Sequence, residues 1–144
     1  MTTSLYAALV ALMFIALSVN VIRGRRKNKI ALGDNGNHDM QRRMRAQGNF
    51  AEYAPIFLIL LVLAEYNGLP TYGVHGLGVL FLLGRISHAY GILKAEQHRN
   101  GQIPSGLGYR IRGMVCTFTT LGILVSILLT QYAINLFSSS GDDL

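Results

Sequence analysis

Arg45, Asn49, Glu52 and Tyr53 stand at i, i+4, i+7 and i+8 at the head of a long apolar run. In a helix that spacing places all four on one stripe. A guanidinium, an amide, a carboxylate and a phenol together make a polar face that can form ion pairs and hydrogen bonds, and such a face needs a partner. If the run crosses a bilayer, Glu52 lies about 10 Å along the helix axis from Arg45, below the membrane surface. A carboxylate at that depth costs several kcal/mol unless it is paired, protonated or facing a wet cavity, which makes it a functional candidate.

Arg85 is the candidate partner. A helix entering from the opposite side near Thr71 reaches Arg85 after some ~20 Å of a core about 30 Å thick, which leaves the guanidinium roughly as deep as Glu52. The two groups are therefore expected to approach each other, within one chain or across a subunit interface. His88 follows one turn after Arg85, Arg99 returns to nearly the same face if the helix continues, and Tyr90 lies off that stripe. The spacing can thus collect Arg45, Asn49, Tyr53, Arg85 and Arg99 around a pocket. Structural roles stand beside this reading. Arg42, Arg43, Arg45, Arg110 and Arg112 suit anchors in the headgroup layer, Glu52 and Arg85 suit a structural ion pair, and His88 suits helix packing.

The elements that must position these residues are apolar. The chain has 144 residues, 51% hydrophobic and 14% charged, with a mean hydropathy of +0.35. A soluble domain of that size would have too little polar surface to cover its core, so a membrane domain is expected. Candidate spans cover about 4–22, 45–66, 72–93 and 108–135, within one domain over 1–144. The expected class is all-α, an integral membrane four-helix bundle. Positive charge follows the first run instead of preceding it, which favours a retained span over a cleaved signal peptide. Pro55 is expected to bend the second span, and the glycines between 73 and 84 to let helices approach closely.

The lysines and arginines lie in or close to the first and third connectors, whereas NGLP, residues 67–70, is a short uncharged turn. The positive-inside rule puts the two basic connectors in the cytoplasm and both termini on the other side, and the short second connector favours up-down-up-down order. The net charge of +6 clusters between apolar runs, without the exposed aromatics of a nucleic-acid surface, so no nucleic-acid partner is expected. Cys116 is the single cysteine, and no Cys/His cluster has zinc spacing, so neither a disulfide framework nor a metal is expected. A channel or transporter is disfavoured because the spans lack a second acidic site and a broken-helix pair at mid-membrane.

The stretch RAQGNFAEYAP, residues 45–55, resembles the second-helix signature of the MAPEG family, the membrane-associated proteins of eicosanoid and glutathione metabolism. GRISHAYG, residues 84–91, resembles the third-helix signature of the small bacterial branch, and the likeness extends over most of the chain. The resemblance implies a homotrimer of four-helix subunits in a bacterial inner membrane, with glutathione as co-substrate at each subunit interface. It further implies that Arg45, Asn49, Glu52 and Tyr53 hold the tripeptide, and the depth and spacing of Arg85 and His88 add those two as candidate glutathione-binding residues. Arg99, reached by ungapped extension from Arg85, would be the catalytic arginine that stabilises the thiolate. Where the family's synthases carry two third-helix tyrosines, this chain has His88 and Ile92. The implied activity is that of a glutathione transferase or peroxidase acting on a hydrophobic electrophile or lipid hydroperoxide. The alternative is a non-catalytic protein of the same fold that binds lipid or a partner protein.

Overall fold

The computed structural model describes residues 1–95 and 106–141, with side chains through 137. Four helices run through them: α1 (Thr3–Asn28), α2 (His38–Tyr66), α3 (Thr71–Tyr90) and α4 (Leu107–Gly141). All four are long and apolar enough to cross a membrane, and there is no strand among the described residues. The helices overrun the hydropathy-defined spans mainly at their basic ends. α1 continues through the charged RGRRKN segment and stops where Lys29 turns left-handed at φ 53°, with the Ile30 amide bonded back to the Arg25 carbonyl at 3.0 Å. That backward bond satisfies a carbonyl that a helix end otherwise leaves open. α2 begins at an Asn37 cap whose side-chain oxygen accepts from the Met40 amide at 2.9 Å. α3 runs directly into a π-helical turn, Gly91–Ala95.

Long-range polar contacts establish the order of the bundle. The Thr2 and Thr3 amides at the start of α1 donate to the carboxylate of Glu65 at the end of α2. At the other end, Arg43 donates to the Asn20 carbonyl at 3.1 Å and to its side-chain oxygen, while its Nε donates to Asp39 at 3.0 Å. α1 and α2 are therefore antiparallel, and Arg43 ties the pair together in addition to any contact with headgroups. Gln131 of α4 donates to the carbonyls of Ala64 and Asn67 at 3.2 and 3.1 Å, which places the end of α4 beside the end of α2. The up-down-up-down order follows, with the basic connector between α1 and α2 at the opposite end from the Gly68 turn.

Apolar burial drives these contacts less in lipid than in water, because a lipid tail solvates leucine as well as protein does. Close packing takes its place. Phe57 and Phe81 stack with ring centroids 3.8 Å apart, and Tyr6 lies flat over Gly78, where an added Cβ would fall 2.3 Å from the ring. α3 and α4 cross at Gly84 and Gly113: a Cβ on Gly113 would lie 2.5 Å from the Gly84 carbonyl oxygen. The remaining apolar faces turn outward. Ile111, Val115, Phe118, Val125 and Leu129 recur along one stripe of α4, all exposed in the single chain, as a lipid- or subunit-facing surface requires.

Glu65 satisfies amides at the head of α1 that no residue of α1 itself caps. Replacing it by Ala is expected to speed hydrogen exchange at residues 3–6 while leaving the far end of α1 protected. Unchanged protection there would mean that the cap does not hold the helix end.

Candidate functional site

Successive turns of α2 carry Arg45, Asn49 and Glu52 along one face, and all three line a cavity of about 960 Å³. That volume is at the upper end of the roughly 300–1,000 Å³ typical of small-molecule sites. His88 and Ile92, the two positions where the resemblance calls for tyrosines, form part of the opposite wall. The start of α2 adds His38, Gln41 and Arg42, and the start of α4 adds Arg110. Among the described residues the cavity thus gathers three arginines and one carboxylate, Glu52. Arg45 and Glu52 are both exposed in the single chain.

Behind this wall lies Arg85, with no exposed surface at all. A guanidinium so deep is tolerated only where protein groups replace water. Its Nη2 donates to Asn49 Oδ1 at 2.6 Å and faces His88 Nδ1 at 3.2 Å; its Nη1 donates to Thr117 Oγ1 at 3.3 Å and lies 3.9 Å from Met114 Sδ. The Tyr53 and Phe50 rings stand 5.5 and 6.0 Å from its central carbon and present aromatic faces to the cation. Nε has no hydrogen-bond partner among the described residues.

Glu52 and Arg85 approach each other as expected, with Asn49 between them: its amide nitrogen is 3.5 Å from Glu52 Oε2 and its Oδ1 2.6 Å from Arg85 Nη2, so the two charges meet through the amide and not as a direct ion pair. Asn49 lies one turn before Glu52 on α2 and faces α3, so its amide stands between the Glu52 carboxylate and the Arg85 guanidinium of α3. Two other expectations change. Tyr53 does not line the cavity. One residue beyond Glu52 it is turned by about 100° around the helix, and its ring meets Phe118 of α4 edge-on at 5.6 Å. Arg85 is a buried support and not a wall residue. Arg99 lies outside the described residues. Tyr90 does sit off the stripe, where it packs edge-on against Tyr109 at 5.3 Å.

Sequence reasoning assigned no site role to His38, Gln41, Arg42 or Arg110. The signals were present: Gln41 and Arg42 lie one turn before Arg45, and His38 follows directly on the Asn37 cap. Hydropathy starts the second span at Arg45, which leaves this turn outside it. Arg110 suits an anchor by sequence, and the packing of the start of α4 against Gly91 is what brings it beside His88 and Ile92 in the cavity lining.

Comparison with known proteins agrees with the fold. The chain is 36% identical over 125 residues to the Escherichia coli inner membrane protein YecN, covering 87% of this chain and 88% of that protein. It is 32% identical over 126 residues to the Synechocystis protein sll1147, covering 87% of each. The model of the MAPEG family matches residues 3–130. With four membrane-crossing helices, and with that match over most of its length, the chain is an integral membrane protein that belongs to the MAPEG family.

Proposed function

We propose that the protein is a membrane-bound glutathione transferase or peroxidase that activates the glutathione thiol for attack on a hydrophobic electrophile or a lipid hydroperoxide. The observation that carries this reading is the make-up of the cavity lining: among the described residues, Arg42, Arg45 and Arg110 stand with the carboxylate of Glu52, so cationic and anionic groups face one cavity. Glutathione carries two carboxylates and one ammonium at neutral pH, so it needs both kinds of partner, and this lining offers both. In this reading Glu52 receives the ammonium, Arg45 binds a carboxylate, and Asn49 bonds the peptide. Arg85 acts from behind the wall and Tyr53 supports it.

A free thiol with a pKa near ~8.5 is mostly protonated at neutral pH, and each unit of depression corresponds to about 1.4 kcal/mol of preference for the thiolate. Arg99 is proposed to supply that preference, in a site that Arg110 already makes electropositive. The thiolate then displaces a leaving group from the electrophile, or attacks the terminal oxygen of the hydroperoxide, breaking the O–O bond to release the alcohol and leave a glutathione sulfenic acid that a second glutathione converts to the disulfide and water. The apolar reactant enters from the bilayer, since the outer faces of the helices offer Leu, Ile, Val and Phe. Neither a protein nucleophile nor a metal takes part in this scheme.

A homotrimer with glutathione between subunits is part of the same proposal. It is supported by the exposure of Arg45 and Glu52 in the single chain, which leaves one side of the cavity for a neighbour to close. The name of the E. coli relative supports an inner-membrane location, and the charge of the connector between α1 and α2 supports a cytoplasmic opening.

The deciding experiment is ultraviolet difference absorption as glutathione is titrated into detergent-purified protein. A saturable thiolate band is expected, lost in Arg99→Ala and weakened by raised dissociation in Glu52→Ala. A wild-type protein that forms no thiolate would exclude catalysis and move the cavity to lipid or partner binding.

A further inference from the structure

Arg85 has only donors to offer, and this determines which way its neighbours face. Thr117 Oγ1 spends its one proton on the Gly113 carbonyl at 2.9 Å, so toward Arg85 it is an acceptor. Asn49 turns its carbonyl oxygen to Nη2 at 2.6 Å, which leaves its amide nitrogen on the side of Glu52. His88 turns Nδ1 to Nη2 at 3.2 Å, and a ring nitrogen facing a donor must hold a lone pair. The ring proton is then on Nε2, which has no partner among the described residues, and the ring lines the cavity.

We propose that Arg85 is a positioning residue that fixes the hydrogen-bond polarity of the cavity wall, holding His88 as the Nε2–H tautomer and Asn49 with its N–H groups outward. Both residues can either accept or donate. A fully buried guanidinium takes up their acceptor ends, so a ligand meets donors. At these two positions the wall therefore favours anionic acceptors, a carboxylate or a thiolate, leaving an ammonium to Glu52, and it does so with neutral groups that add to the charge of the arginines. The anion named here rests on the glutathione reading, whereas the tautomer does not.

The ring nitrogens report this directly. Protein labelled with 15N-histidine carries four histidines, His38, His75, His88 and His98, and His88→Gln identifies the signals of His88 in detergent micelles. At pH 8 the wild type is expected to show an unprotonated Nδ1 and a protonated Nε2 at His88. Arg85→Gln, whose amide can present either end, is expected to mix the tautomers and to raise the glutathione dissociation constant roughly tenfold. Arg85→Lys, again a pure donor, is expected to keep the Nε2–H form and serves as the comparison if the glutamine variant does not fold. A wild-type Nδ1–H tautomer overturns the proposal, and so does a wild-type pattern that survives unchanged in folded Arg85→Gln. Glutathione is then added to the wild type. An Nε2–H tautomer whose signals do not move supports the wall polarity while overturning the glutathione reading, so the two can fail separately.

Discussion

Alanine at position 113 is expected to destabilise the bundle by about 3 kcal/mol, the upper part of the range for overpacking a close contact. Its Cβ would lie 2.5 Å from the Gly84 carbonyl oxygen and 2.6 Å from both the His88 amide nitrogen and the His88 Cβ. Two of those three atoms are backbone, so no side-chain rotation relieves the clash and α3 must move away from α4. The movement reaches the site, because His88 is one of the atoms displaced and Arg85, a turn earlier, bonds Thr117 across the same crossing. Detergent-induced unfolding followed by circular dichroism measures the stability loss, and glutathione titration of the folded fraction is expected to show weakened binding. A variant as stable as the wild type would mean that the two helices are not held at that separation.

Asn49→Leu is expected to cost about 3 kcal/mol of stability, because it leaves a buried guanidinium without its shortest hydrogen bond. It is also expected to weaken glutathione binding by about 2 kcal/mol, roughly thirtyfold. Asn49→Asp separates the two effects. Its carboxylate can still accept from Arg85, so stability is expected to stay closer to the wild type than in the leucine variant. Its other oxygen replaces an N–H donor and faces Glu52, so binding is expected to suffer as much as in Asn49→Leu. Unfolding curves and glutathione titrations on the two variants test the ordering. If the aspartate variant binds glutathione normally, the amide makes no contact with the ligand.

How much of this was legible without coordinates depends on what each signal measures. Hydropathy marks hydrocarbon, so the four spans were recovered while the helix ends were not. The charged last turns of α1 and first turns of α2 are helical outside the apolar window. Helical periodicity placed Arg45, Asn49 and Glu52 together correctly, since those three fall within about 60° of one another around the axis. It admitted Tyr53 on a looser tolerance. Depth along the axis was right for Arg85, but depth says nothing about rotation, and rotation is what sends the side chain inward behind Asn49 instead of out to Glu52. Glu65 drew no attention because its role is to reach the start of α1, a contact between distant parts of the sequence that no local pattern records.

The π-helical turn at Gly91–Ala95 has a consequence for comparing relatives. Such a turn closes its hydrogen bonds one residue further along than an α-helix does, so it accommodates an additional residue within one turn. A relative that keeps plain α-helix there would have one residue fewer for the same geometry. Past Gly91, therefore, alignment columns and helix faces need not coincide: a position-by-position match carried through without a gap pairs side chains that project about 100° apart. Residue swaps between branches of the family therefore require the helical form of this segment to be known in both chains: a shared π-helical turn keeps the columns in register, as the assignment of Arg99 assumes, and an insertion is needed only where the turn is absent.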